Sequence, residues 1–104
     1  MDDYGLSARA DDDLAEIYLY SYRAFGEAAA ESYFLGLRDS LILLAESPRL
    51  GRPVSEIRRG LFCYRHARHV IFYMIENAGI FVVRILHDAM DTLRHIDPET
   101  GEGQ

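Results

Sequence analysis

The chain has 104 residues and a mass of 11.9 kDa, which sets the expectation of a single domain over residues 1–96, with 97–104 as a frayed tail. It is 49% hydrophobic and 27% charged, which argues against global disorder and against a two-domain enzyme built around a large cofactor cleft. A formal charge of −6 makes a general nucleic-acid binder a poor starting point, because neutralising phosphates needs a positive surface.

The charge is unevenly distributed. Residues 1–47 hold ten acids against three arginines, and residues 48–69 hold six arginines against the single acid Glu56. Residues 70–104 return to six acids and two arginines. There is no lysine, so a lysine base or Schiff base is excluded. The one cysteine, Cys63, rules out an internal disulfide, and between Phe62 and Tyr64 it reads as a small buried hydrophobe. No apolar leader follows Asp2 and Asp3, and no apolar run is long enough to span a bilayer, so the expected location is the cytoplasm, with no membrane partner.

Tyr4 to Leu6 reads as a short first strand. Ser7 is a good N-cap, and Asp11, Asp12 and Asp13 read as solvated charge at the start of a helix. Leu14, Ile17, Tyr18, Ser21, Tyr22 and Phe25 recur at steps of three and four, predicting an amphipathic helix over about residues 8–24, closed by Gly26. A second helix starts near Glu27 along the line Ala30, Tyr33, Phe34, Leu37, Leu41 and Leu44, and stops before Ser47-Pro48. The short turn between them predicts an antiparallel helical hairpin. Residues 47–60, with two prolines and two glycines, read as a long ordered loop.

Strands follow at Leu61–His66, His69–Glu76 and Ile80–His87, the last two joined at Asn77-Ala78-Gly79. The middle strand is apolar on both faces, as expected of a central strand covered on both sides. One helical turn is expected after Asp88. The order predicts an α+β fold: a short N-terminal strand and a two-helix antiparallel hairpin packed on a three- to four-stranded, mainly antiparallel sheet.

Nucleotide, dinucleotide and acyl-transfer signatures are absent, so no cofactor is expected. Cys63, His66 and His69 stand three apart, but residues three apart on a strand face opposite ways, so no metal site is expected. Arg65, Arg68, His69, Arg84 and His87 form the one constellation with chemical potential. As a ribonuclease set, Arg65, Arg84 and His87 would stabilise a phosphorane and move protons. The plainer alternative pairs Arg84 with an acid of the helical hairpin and leaves the histidines at a polar rim.

The opening LSARADDDLAEIYLYSYRAFG, the segment SPRLGRPVSEIRRGLFCYRHARHVIFY and the ending VVRILHDAMD together resemble the ParE-type toxins of the RelE/ParE superfamily, over about residues 4–91. The resemblance implies the toxin of a bacterial type II toxin–antitoxin module, inhibiting DNA gyrase and neutralised by a ParD-type antitoxin. It implies contact with operator DNA only through that antitoxin, and no catalytic residues. The sister RelE branch, which cleaves mRNA on the ribosome, is the alternative, with Arg65, Arg84 and His87 as its residues here. Antitoxin binding is expected in a hydrophobic groove made by the helical hairpin and the sheet edge, with Tyr18, Tyr22, Phe34 and Leu37 in it and Arg52, Arg58 and Arg59 at its rim, since tyrosine and arginine are favoured interface anchors.

Overall fold

A computed structural model describes residues 3–88, 90 and 92–96. In chain order it contains β1 (Asp3–Leu6), α1 (Ala8–Phe25), α2 (Glu27–Glu46), a 3-10 turn at Pro48–Leu50, β2 (Arg52–Pro53), β3 (Leu61–His66), β4 (His69–Glu76), β5 (Gly79–His87) and α3 (Thr92–His95). The strands form one sheet in the order β1-β5-β4-β3-β2. β1 runs parallel to β5, and the other pairs are antiparallel.

The sheet therefore has five strands, not three or four. The additional strand, β2, is two residues long and pairs Arg52 with Cys63 and Pro53 with Phe62. Two residues cannot show an alternating pattern, and proline is tolerated there because β2 is an edge strand. The expected tail segment 97–104 lies outside the described residues.

Local chemistry sets the helix ends. Ser7 caps α1: its Oγ accepts from the Ala10 N–H at 2.9 Å and donates to the Val83 carbonyl at 2.6 Å. One hydroxyl thus starts the helix and ties it to β5. Gly26, at φ 95°, ends α1 and begins α2, a backbone angle that a Cβ would strain.

Two apolar layers hold the sheet. Leu14 of α1 and Leu37, Leu41 and Leu44 of α2 pack on Ile71, Tyr73, Val82 and Ile85. On the opposite face Val54, Ile57 and Ile96 cover Leu61, Phe72, Val83 and Leu86. The residues of β4 consequently face apolar neighbours on both sides. A register shift where β5 passes Phe72 and Tyr73 pairs Phe72 with Arg84 and Tyr73 with Val82, leaving Val83 as the extra residue of a bulge. The bulge turns Ile85 towards the helices and Leu86 towards the second layer.

Candidate functional site

Beyond Leu6, β1 ends and no strand among the described residues borders the edge of β5. The start of α1 covers that edge with polar groups. The Ser7 N–H donates to the Val82 carbonyl at 2.9 Å, and Asp13 Oδ2 accepts the Ile85 N–H at 2.9 Å. Asp13 also accepts both prongs of Arg84, from Nε at 2.8 Å and Nη2 at 2.9 Å. Arg84 Nη1 donates to the His95 carbonyl at 2.9 Å, so one guanidinium joins α1, β5 and α3. The hydrogen bond to Asp13 holds Arg84 protonated more firmly than usual.

At the same end of the sheet, the tight β3–β4 turn meets the middle of α2, between Tyr33 and Ser40. Ala67 takes a left-handed φ of 53° in this turn. The Tyr33 hydroxyl lies 2.7 Å from His69 Nδ1 and donates to the His66 carbonyl at 3.3 Å. Ser40 Oγ sits 3.0 Å from His66 Nδ1. His69 pairs across the sheet with His87, their rings edge to face at 5.4 Å. Burial, followed by the nearby His87, lowers the His69 pKa, so the imidazole is neutral at pH 7. Burial raises the Tyr33 pKa.

Of the three ribonuclease candidates, Arg65 and His87 meet at the Asp88 carboxylate, while Arg84 is held away from them. Arg84 is held by Asp13, with both side chains largely buried. Arg65 is exposed and binds Asp88 and the Ala67 carbonyl, each at 3.0 Å. Its hydrogen bond is the main reason the Asp88 pKa falls, and His87 Nδ1 stands 3.2 Å from the same carboxylate. Arg84 thus pairs with a helical acid, but with one read from the sequence as solvated. Asp13 is the residue the sequence reading missed. Its position, three residues after Ala10 and four before Ile17 on the inward face of α1, was the available signal.

Cys63 is half-buried and burial raises its thiol pKa, which keeps it a weak nucleophile. Among the described residues, no group of three His, Cys, Asp or Glu side chains is placed to hold a metal ion.

Comparison with known proteins places this arrangement in a family. Residues 4–92 match the family model described as the ParE toxin of type II toxin-antitoxin system, parDE. The chain belongs to the ParE toxin family. It is 32% identical over 96 residues to Toxin ParE1 of Caulobacter vibrioides, covering 92% of this chain and 99% of that protein. It is 37% identical over 94 residues to Toxin ParE1 of Mycobacterium tuberculosis, covering 89% and 96%. A solved chromosomal ParDE toxin-antitoxin system from P. aeruginosa shares the fold at a TM-score of 0.71 and 16% identity, covering 84% of this chain and 96% of that one.

The ParE fold separates the residues expected to form one antitoxin groove. Leu37 is fully buried in the core and presents no surface to a partner. Tyr18 and Phe34 are half-buried and meet edge to face at 6.2 Å in the α1–α2 seam. Tyr22 is 49% exposed beside Tyr18. Arg52 lies on the edge strand β2, and Arg58 and Arg59 follow Val54 and Ile57, which cover the sheet face opposite the helices. Arg58 carries a buried Nη1 without a hydrogen-bond partner among the described residues. No helix among the described residues is long and apolar enough to cross a membrane.

Proposed function

We propose that this ParE-family chain is a cytoplasmic toxin that inhibits DNA gyrase by protein contact, without chemistry of its own, and is silenced by a ParD-type antitoxin. The observation that carries the reading is the family match over nearly the whole chain. The engagement of Arg84 by Asp13 supports it, because that removes the arginine that would stabilise a phosphorane from solvent access. Operator DNA is contacted through the antitoxin, in keeping with a net charge of −6.

On this reading the antitoxin engages two separate surfaces. One is the exposed helical strip around Tyr22, backed by Tyr18 and Phe34; the other is the arginine segment with Arg52, Arg58 and Arg59. An extended partner segment can reach both, and the arginines select acidic residues in it. The test is induction in cells with and without a co-expressed ParD-type partner. Arrested growth with broken chromosomal DNA, relieved by the partner, is the expected result. Arrest with intact DNA and cleaved ribosome-bound mRNA would replace gyrase with the RelE-like ribonuclease reading.

A further inference from the structure

The outer edge of β3 is covered for only part of its length. The Val54 N–H donates to the Leu61 carbonyl at 2.9 Å, and β2 sets Arg52 opposite Cys63. The main-chain groups of Leu61 and Cys63 therefore point outward, away from β4. Alternation along an antiparallel pair puts those of Arg65 outward as well. The β3–β4 turn agrees, because a two-residue connection makes His66 and His69 a hydrogen-bonded pair and leaves Arg65 and Val70 as the open one. No strand among the described residues stands opposite Arg65 on the outer side, and its main-chain N–H and carbonyl have no hydrogen-bond partner among them.

The chain before β2 is held elsewhere. The Leu50 N–H donates to the Ser47 carbonyl at 3.0 Å, and the Tyr73 hydroxyl joins the Gly51 N–H to the Pro48 carbonyl. These bonds keep the 3-10 turn off the open edge, and a groove of about 370 Å³ lies there. Leu50, Tyr64 and Val70 give it apolar surface, Arg52 and Arg65 give it charge, and none of its lining residues is acidic. Cys63 and Arg65 stand two apart on β3, and Arg52 pairs with Cys63, so both arginines project from the same face of the sheet. Arg65 shares the Asp88 carboxylate, while Arg52 is exposed and has no ion-pair partner among the described residues. Like charges at this edge oppose pairing with a second copy of it. A peptide main chain offers Arg65 a donor and an acceptor at strand spacing, which a phosphate does not.

We infer that this groove binds a short, extended, acidic peptide segment of a protein partner, which adds to the sheet as a sixth strand in line with β2. An acidic residue opposite Arg65 exchanges both main-chain hydrogen bonds with it and turns its carboxylate towards Arg52 and Arg65. The apolar neighbours of that residue turn to the other face, against Tyr64. The inference rests on the reading of the arginine segment as a surface for an acidic partner segment, and gives that segment a conformation and a register.

The test is titration of the intact chain with an end-capped valine–glutamate–valine peptide, following the backbone amides by NMR. A saturable shift centred on the Arg65 amide is expected, with slower hydrogen exchange there. The glutamine counterpart should bind several-fold more weakly, and methylation of the glutamate nitrogen should abolish binding. Arg52→Gln, at an exposed edge position, should remove most of the preference for glutamate. No saturable shift at Arg65, or equal binding by the methylated peptide, would overturn the inference. Capture of a whole antitoxin through Arg58 and Arg59 is read separately, from its salt dependence, so the two readings fail independently. A concentration-dependent Arg65 shift with no peptide present would assign the edge to a second copy of the chain and overturn the acidic occupant.

Discussion

Asp13 and Arg84, 71 residues apart, close a two-pronged ion pair over a stretch of the β5 edge that no strand among the described residues covers. Asp13 does two jobs at once. It neutralises a guanidinium whose side chain is 12% exposed, and it accepts the Ile85 N–H that a longer β1 would have taken. The buried charges are satisfied by several hydrogen bonds, which offsets the cost of removing them from water.

Breaking this pair is expected to be costly. Arg84→Ala leaves Asp13 with the Ile85 N–H alone and should destabilise the fold by about 3 kcal/mol, the low end for a buried pair because both side chains retain some exposure. Replacing both partners, as in Asp13→Leu with Arg84→Met, should recover part of that loss. Urea unfolding of the two variants beside the parent chain checks it. A loss below about 1 kcal/mol for Arg84→Ala would show that the pair is screened like a surface bridge.

Tyr73 anchors the loop after α2. Its hydroxyl donates to the Pro48 carbonyl at 2.6 Å and accepts from the Gly51 N–H at 3.0 Å. Tyr73→Phe should cost about 1–3 kcal/mol, because both loop groups lose their partner. It should also speed hydrogen exchange at the Gly51 amide. Gly51→Ala should be at least as damaging, since a Cβ there would overlap the Tyr73 hydroxyl and come within 2.7 Å of the Cys63 carbonyl.

His69 links stability to pH. Its folded pKa lies below the ordinary 6.5, so the unfolded chain binds a proton first as pH falls. The stabilisation is complete above about 6.5 and is lost as pH falls through the lowered folded value. His87 and His66 push in this direction, while Asp88 and Asp13 oppose it. The lowered Asp88 pKa acts in the carboxylate range and leaves this window clear. Denaturant unfolding at pH 7.5 and 5.5 should show a loss that His69→Gln reduces. An equal loss in both proteins would assign it to other groups.

The arginine segment should contribute to antitoxin capture. Arg58→Glu combined with Arg59→Glu is expected to slow association with a ParD-type partner at least tenfold and to flatten its salt dependence. Unchanged affinity and salt slope would remove this segment from the interface.

Much of the fold was legible because periodicity reports burial directly. The three- and four-residue steps located α1 and α2, the capping chemistry located Ser7 and Gly26, and the unbroken apolar run located the central β4. What failed depended on neighbours distant in sequence. Leu37 lies in the middle of the stripe that runs from Tyr33 to Leu44, so it turns into the core while Tyr33 and Phe34 keep partial exposure. Asp13 belongs to an acidic run; its spacing from Ala10 and Ile17 turns it inward, unlike the exposed Asp11 and Asp12, but its partners lie on β5 and are distant in sequence. The bulge at Val83 leaves no mark in composition, yet it sets which residues after it face the helices. Tyr33 was read as a member of the apolar line, while its hydroxyl orients His69.

The most direct test of the central claim is a supercoiling and DNA-cleavage assay with purified gyrase and the isolated chain. The account predicts loss of supercoiling with accumulation of linear cleavage product, reversed by a ParD-type antitoxin. Undiminished supercoiling by gyrase, with cleavage of ribosome-bound mRNA by the same preparation, would contradict it.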